Sequence, residues 1–289
     1  MRVLDLIHSF YALVGVTGNL ILLTVICLTK NSGLKSYSII VFNVACVDIV
    51  EIVLDIFEVP RMVAHGEDSI LIFQGPCTKF GPEICYRCHL VMLHLIFHSL
   101  FLIAYSFWYR YIILVKDAPP WYIVQITIII LFVPNAVPMV LSIFARDDQD
   151  GSRNILRIVY PTVDVNALTL RSVNLFDPFS APTDYSAIFG PFLVYTFIVI
   201  MRRKLLRTLA SLAEKMSART KQMHESLVKV LTYHAVLPAT ICIGVASFYF
   251  QMIGIRSPLI DGLIFIFACI PAVCNPFLSL FFVVPYRRF

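Results

Sequence analysis

The sequence predicts an all-α membrane protein, built as a bundle of seven transmembrane helices. Hydrophobic residues make up 59% of the chain and charged residues only 14%, a composition far from that of a soluble globular domain. The hydrophobic residues lie in seven long stretches, and a helix needs about 20 apolar residues to cross a bilayer. Seven such helices and their connections fill the 289 residues, so we expect one transmembrane domain over 1–289.

The seven predicted spans are separated by connections of very different length. They are residues 6–28, 39–59, 88–109, 123–143, 185–201, 228–253 and 259–284. The short connections after the first and sixth spans make the flanking helices antiparallel neighbours. The longest connection, 145–184, is either a solvated cap or a segment that controls ligand access, because structureless loops of that length are usually functional or disordered.

The connection between the fifth and sixth spans has a helical character. Residues 202–229 contain no Gly or Pro, and leucines recur there at helical spacing among basic residues. We therefore expect both helices to continue beyond the membrane as a basic, amphipathic surface. Such a surface suits either anionic lipid headgroups or a cytoplasmic partner.

The distribution of basic residues predicts the orientation of the chain. Most of the 23 lysines and arginines flank one set of span ends. They include Lys30, Lys35, Arg110, Lys116, the basic residues of 202–229, Arg287 and Arg288. Cytoplasmic loops are enriched in Lys and Arg, which places the N-terminus outside and the C-terminus in the cytoplasm. Since the net charge of +5 lies beside the membrane, we predict lipid contacts and no nucleic-acid partner.

Three of the eight cysteines crowd the outer entrance of the third span. Cys77, Cys85 and Cys88 lie on the oxidising face, where a local disulfide can form. The sequence leaves open whether they are paired. The other five lie within spans and are expected to behave as small buried apolar residues.

The second span carries four acids at helical spacing. Asp48, Glu51, Asp55 and Glu58 fall on one stripe of a helix,. A charged group near the bilayer centre costs about 2.5–3.5 kcal/mol on insertion scales, so the stripe is expected to face the bundle interior. It could serve as a proton or cation relay of a transporter or channel, or hold helices together.

The third span contributes three histidines, His89, His94 and His98. His94 and His98 are four residues apart and could share a metal, but a histidine at a polar helix interface is more often a hydrogen-bond partner. An iron-dependent membrane enzyme would need several such histidine pairs, and the sequence has one. We predict no enzymatic activity, no metal centre and no cofactor.

The polar residues resemble, span by span, those of rhodopsin-like G-protein-coupled receptors. The matching motifs are Gly18-Asn19 in the first span, residues 43–48 (NVACVD) in the second, Ser99 and Tyr109-Arg110-Tyr111 in the third, Pro238 in the sixth and Asn275-Pro276 in the seventh. Each motif is weak alone, and together they occur in the right order at the right depths. The resemblance implies the rhodopsin-like fold.

A narrower resemblance is to the nematode serpentine chemoreceptors, and among them to class delta. It is carried by residues 98–100 (HSL), 106–114 (SFWYRYIIL), 220–224 (TKQMH), 237–238 (LP) and 284–287 (VPYR). It implies a plasma-membrane receptor, with sensory-neuron cilia as a candidate location. Such a receptor detects an external small molecule or peptide and activates a heterotrimeric G protein.

The resemblance also implies where the functional residues lie. For the ligand pocket, depth and polarity select Asp55, His89, Met92, Tyr249 and Gln251. The residues expected to form a polar hub that could hold sodium are Asn19, Asp48, Ser99 and Asn275. The helix hinges are Pro238, Pro271 and Pro276, because proline removes a backbone hydrogen bond. The residues expected to contact the G protein are Arg110, Tyr111, Arg207, Lys215, Arg219 and Lys221.

The chain departs from the receptor pattern in two places that matter. Tyr109 replaces the acid that usually precedes Arg110, so the contact that restrains this arginine must differ. The usual outer disulfide cannot form, because residues 145–184 contain no cysteine. The runner-up function is a transporter or channel that uses the acidic stripe, although no inverted repeat is visible. The sequence does not name the ligand.

Overall fold

The computed structural model describes residues 2–29, 35–213, 218–255 and 257–282, with the backbone alone for 2, 35, 213, 218–231 and 282. These residues form eight α-helices and three β-strands. The helices are α1 (Arg2–Leu28), α2 (Lys35–Glu58), α3 (Pro82–Val115), α4 (Trp121–Ser142), α5 (Gln149–Val159), α6 (Ala181–Ala213), α7 (Ala218–Met252) and α8 (Ile260–Phe282). The strands are β1 (Pro60–His65), β2 (Asp68–Phe73) and β3 (Thr169–Asn174).

The predicted seven-helix bundle is confirmed. Within the described residues, six helices are long and apolar enough to cross a membrane: α1, α3, α4, α6, α7 and α8. The seventh is α2, whose 24 residues reach about 36 Å at 1.5 Å per residue. It carries the acidic stripe and contacts α1, α3, α4 and α8, which keeps these acids away from lipid.

The third helix is the central one. In its most apolar stretch 78% of the residues are buried, against 17% in α4 and α6. It begins with Pro82, directly after Gly81 at φ 92°. Proline is well suited to a first helical position, where its missing N–H is not needed. Because α3 contacts α2, α4 and α6 along its length, its polar residues meet partners from several helices.

The outer connections form a three-stranded sheet that the sequence did not predict. Strands β1 and β2 make an antiparallel hairpin around Gly66 at φ 62°, and β3 adds antiparallel to β2, with Phe73 opposite Thr169. The longest connection is therefore not structureless. It contains β3 and also α5, whose N-terminal Asp148 side chain accepts a hydrogen bond from the Gly151 N–H at 3.0 Å,.

The described parts of residues 202–229 are helical, in α6 up to Ala213 and in α7 from Ala218, and the continuation of these helices beyond the membrane stays a prediction. They contain 33 and 35 residues, which corresponds to about 50 Å each against a hydrocarbon thickness of about 30 Å. The predicted hinge prolines lie inside helices that continue past them, Pro238 in α7 and Pro271 and Pro276 in α8. Their role as hinges stays a prediction.

Candidate functional site: an outer pocket above a buried polar core

A cavity lies in the outer half of the bundle, between the sheet and α3, α6, α7 and α8. It contains about 690 Å³ of space, part of it open to solvent. All three strands contribute to its lining, through Met62, Leu71 and Val173, and aromatic rings of α7 and α8 contribute through Phe248 and Phe265. Most lining residues are apolar, which is the usual character of a small-molecule site.

One side of the pocket is linked to the acidic stripe through His89. Its Nδ1 lies 3.0 Å from Glu58 Oε2, and both side chains are buried. The imidazole also stands edge-on to the Phe265 ring, with centroids 5.2 Å apart. A molecule that pushes on His89 would therefore act on α2 and α8 together.

The opposite side of the pocket is formed by the first turn of α6 and the end of α4. Thr183 Oγ1 lies 2.7 Å from Ser142 Oγ and 3.3 Å from His94 Nε2. These contacts join α3, α4 and α6 at the pocket wall. The neighbouring Asp184 also lines the cavity, and its Oδ2 is buried without a hydrogen-bond partner among the described residues.

The sheet is fastened to the outer ends of α7 and α8. Arg61 of β1 donates to Asp261 at 2.8 Å, and the Tyr160 hydroxyl donates to the same carboxylate oxygen at 2.8 Å. Gln251 of α7 accepts a hydrogen bond from the Ala64 N–H at 2.7 Å. These contacts hold the sheet against the helices that line the pocket.

Two further contacts fix the outer end of α3. Cys77 and Cys85 are disulfide-bonded, and Cys88 is a free thiol. The Arg171 guanidinium of β3 packs over the Tyr86 ring at 4.5 Å and donates to Glu83 at 2.8 Å. The disulfide joins Cys77 of the first outer connection to Cys85 of α3, and Arg171 of the second outer connection contacts the same helix end, so both connections are attached to α3.

The acidic stripe of α2 faces the bundle interior, as predicted. All four acids are buried. Asp55 Oδ2 lies 2.6 Å from His8 Nδ1 of α1, and Glu58 meets His89. Between the acids at the two ends of the stripe, Glu51 Oε1 is buried without a hydrogen-bond partner among the described residues. The stripe therefore holds α1 and α3 through histidines.

Asp48 lies at a buried junction of α2, α3 and α8. Ser99 Oγ donates to Asp48 Oδ1 at 3.0 Å, and Asn275 Nδ2 donates to Oδ2 at 3.0 Å. Asn19 contacts α8 by another route, since its Nδ2 donates to the Ala272 carbonyl oxygen at 3.0 Å. The predicted hub residues thus form two adjacent contacts, and sodium binding among them stays a prediction.

At the inner end of α3, Arg110 is held by a tyrosine. The buried guanidinium donates a hydrogen bond to the Tyr37 hydroxyl of α2 and lies 4.8 Å from the centroid of the same ring. Tyr37 also stacks with Tyr109, with centroids 6.3 Å apart. The residue that replaces the usual acid thus supports the tyrosine that holds Arg110. A cavity of about 360 Å³ is lined by both Tyr37 and Asn275 of the hub.

Comparison with known proteins agrees with this architecture. The family described as "Serpentine type 7TM GPCR chemoreceptor Srd" matches residues 4–289. The chain belongs to this family. Among Caenorhabditis elegans proteins, this chemoreceptor is 30% identical to serpentine receptor class delta-18, over 97% of this chain and 85% of that protein. It is 27% identical to class delta-1, over 95% of this chain and 76% of that protein.

The fold of the chemoreceptor is also found among solved structures. The crystal structure of squid rhodopsin aligns with a TM-score of 0.60 at 14% sequence identity, covering 99% of this chain and 82% of that chain. At this identity the likeness concerns the fold alone. It confirms the rhodopsin-like arrangement that the motifs predicted.

Of the residues predicted for the pocket, His89 is the one that lines the cavity. Asp55 and Gln251 are buried, but both are engaged elsewhere. The Asp55 carboxylate meets His8, and the Gln251 side-chain oxygen holds Ala64 of β1. The sequence indicated their polarity and depth correctly, but their partners come from α1 and from an unpredicted strand.

Met92 and Tyr249 are also outside the pocket lining. Met92 is fully buried in the core around α3. Tyr249 is 42% exposed on the outside of α7, whereas Phe248 lines the cavity. Successive residues of a helix are rotated by about 100°, so a choice by depth alone does not select the inward face. Neither side chain therefore lines this cavity, and a role of either in ligand binding stays a prediction.

The structure describes some of the residues predicted for G-protein coupling and not others. Arg207 is exposed near the end of α6, and Tyr111 is half-buried against the core formed by α3 and α6. Lys215 lies outside the described residues, as do the side chains of Arg219 and Lys221. The coupling surface stays a prediction.

Sequence reasoning missed His8, Tyr37 and Asp184 as site residues of the chemoreceptor. The sequence did contain a clue to His8, because a histidine inside an apolar span needs a buried hydrogen-bond partner. Tyr37 lies just before the predicted start of the second span, and Asp184 just before the predicted start of the fifth. Polar residues at span ends are ordinarily solvated, so only the packing of neighbouring helices reveals that these two are enclosed.

Proposed function

We propose that this chemoreceptor binds an external small molecule in the outer pocket and activates a heterotrimeric G protein at its cytoplasmic face. The observation that carries the proposal is a series of buried polar contacts beneath the pocket. These are three separate contacts at successive positions along α3, between His89 and Glu58, between Ser99 and Asp48, and between Arg110 and Tyr37. The mainly apolar lining of the pocket, with a few polar side chains, also has the usual character of a small-molecule site.

The mechanism is a shift between two arrangements of the bundle. A ligand that contacts His89, Phe248 and Phe265 touches α3, α7 and α8 at once. Pro238 in α7 and Pro271 in α8 remove backbone hydrogen bonds below the pocket, so these helices can bend there at low cost. A ligand that fits the bent arrangement better increases its population.

At the inner end, the contact between Arg110 and Tyr37 represents the restrained arrangement. A hydrogen bond to a charged group contributes about 1.5–3 kcal/mol, which a well-fitting ligand can offset. When α3 and α2 separate at this point, Arg110 becomes available to the G protein. The extended helices α6 and α7 would flank that site with Arg207 and the basic residues that follow it.

The same proposal includes the topology. Residues 1–289 form one transmembrane domain in the plasma membrane, with the N-terminus outside and the C-terminus in the cytoplasm. The basic residues beside the inner span ends contact anionic lipid headgroups. Sensory-neuron cilia are the proposed cellular location.

The test combines topology with signalling. The full chain with an epitope at each end is expressed in cells, and G-protein dissociation is recorded against a panel of odorants. We expect an accessible N-terminus, a hidden C-terminus and ligand-dependent dissociation. Arg110→Ala should abolish dissociation at unchanged surface expression. Lys116→Ala removes an exposed positive charge from the end of α3 and should retain dissociation. Full signalling by Arg110→Ala, or the reverse topology, would contradict the proposal.

A further inference from the structure

The pocket lining includes one acid with an oxygen that has no hydrogen-bond partner among the described residues. Asp184 lines the cavity, and its Oδ2 is buried and accepts no hydrogen bond from the described residues. It is the acid in the first turn of α6. The positive end of a helix dipole favours an ionised acid at that position. The pocket therefore presents an enclosed acid to whatever enters it.

The nearby arginine donates its hydrogen bonds to other groups. Arg171 is buried, and it donates to Glu83 at 2.8 Å, to Asp147 at 3.4 Å and to the Ala145 carbonyl oxygen at 2.7 Å. Its charge is thus already opposed by two carboxylates. Among the described residues that line the pocket, none is a lysine or an arginine.

The other acid near this wall is occupied by backbone donors. Asp177 Oδ1 accepts a hydrogen bond from the Phe179 N–H at 2.8 Å, and Oδ2 accepts one from the Arg146 N–H at 3.3 Å. It caps the turn before α6 and adds negative charge to the region. Asp184, which lines the cavity, therefore differs from its neighbour in having an enclosed oxygen without a hydrogen-bond partner among the described residues.

The rest of the lining indicates what kind of molecule would supply the missing partner of Asp184. The walls are mainly apolar, and three aromatic side chains, Tyr86, Phe248 and Phe265, contribute to them. Aromatic faces attract cations, and apolar walls favour an apolar body. An anion offers this acid neither a donor nor an opposite charge, and a molecule without a hydrogen-bond donor would leave the buried Oδ2 unsatisfied, which costs free energy. A protonated amine supplies both a donor and the opposite charge.

We infer that the ligand of the outer pocket is a small organic cation, an amine that is protonated at neutral pH and carries a compact apolar body. The ammonium group donates to Asp184 Oδ2, and the apolar body lies between the sheet and the rings of α7 and α8. This inference rests on the proposed function for the identification of the pocket as the ligand site.

The test measures binding directly, without a G protein. The purified full-length receptor is heated with matched sets of amine, alcohol and carboxylate that share the same apolar body, beginning with benzylamine, benzyl alcohol and benzoate and continuing to larger bodies. We expect the compounds that raise the unfolding temperature to be amines. Stabilisation by alcohols or carboxylates equal to that by amines, or no stabilisation by any amine, would overturn the inference.

A charge-removing variant sharpens the result. Asp184→Asn keeps the size of the side chain, and we expect it to weaken amine binding by about 30-fold or more. Asp150→Asn also removes an acid from the outer connection, but at an exposed position on α5, and it should bind amines normally. Equal amine affinity in wild type and Asp184→Asn would overturn the inference. If Asp184→Asn does not fold, the comparison of compounds on the wild type decides alone.

The two proposals can fail separately. Amine binding without G-protein dissociation would contradict the proposed function and leave the inferred ligand class intact. G-protein dissociation driven by neutral or anionic molecules alone would support the proposed function and overturn the inferred ligand class.

Discussion

The outer and inner halves of this chemoreceptor hold their buried charges differently. In the outer half, buried acids lie in close pairs with basic groups, such as Asp261 with Arg61 at 2.8 Å and Glu58 with His89 at 3.0 Å. In the inner half, the buried Arg110 is held by the neutral hydroxyl and ring of Tyr37. The outer half is therefore a fixed frame around the pocket, whereas the inner contact is weak enough to be released.

The comparison also explains why Asp184 stands out. It lies in the half where acids are paired, yet its buried Oδ2 has no partner among the described residues. In a frame whose other acids accept hydrogen bonds from basic side chains or from backbone N–H groups, an oxygen without a partner is a position that a ligand can complete. The inner half offers no comparable acid beside Arg110 in the part of the chain that the structure describes.

The largest expected effect comes from breaking the outer frame with Arg61→Ala. This change leaves Asp261, which is 1% exposed, without its arginine, and removal of one partner of a buried pair costs about 3–5 kcal/mol. We expect a clear decrease in the unfolding temperature of the purified receptor. The control is Arg87→Ala, which removes an arginine from an exposed pair with Glu83 and should cost less than about 1 kcal/mol. Equal decreases would contradict the comparison.

The second effect tests the inner contact with Tyr37→Phe. The ring and its stacking remain, and the hydroxyl that accepts from Arg110 is lost. Because this hydrogen bond is expected to contribute about 1.5–3 kcal/mol, ligand-independent G-protein dissociation should increase about tenfold or more at matched surface expression. Tyr122→Phe removes a hydroxyl from an exposed tyrosine at the start of α4 and should leave basal activity unchanged. Unchanged basal activity in Tyr37→Phe would argue against the restraint.

The sequence predicted the bundle because each span is a local signal. A run of apolar residues is visible without knowledge of its neighbours, and the stripe of acids on α2 can be read from spacing alone. The bounds were less accurate: the third span, predicted as 88–109, is the centre of a helix that runs from Pro82 to Val115. A helix can continue through polar residues at both ends, so it is longer than the apolar run from which it is predicted.

The sheet and much of the pocket were not predictable in the same way. Strand β2 pairs with β3 about a hundred residues later in the chain, and neither strand shows a strict alternation of apolar and polar residues. The roof of the pocket depends on that pairing. Tyr37 and Asp184 lie at span ends, where a sequence indicates solvent, and their burial follows from the packing of other helices.

The smallest effect concerns Tyr249, which the sequence placed in the pocket and the structure places on the outside of α7. The ring is 42% exposed, while its neighbour Phe248 lines the cavity. Tyr249→Leu keeps an apolar surface for lipid, so the change in stability should stay within about 0.5 kcal/mol and ligand potency should be that of the wild type. Phe248→Leu, the same reduction of an aromatic side chain on the inward face, should weaken ligand binding. A loss of potency in Tyr249→Leu as large as that in Phe248→Leu would mean that α7 turns a different face to the ligand.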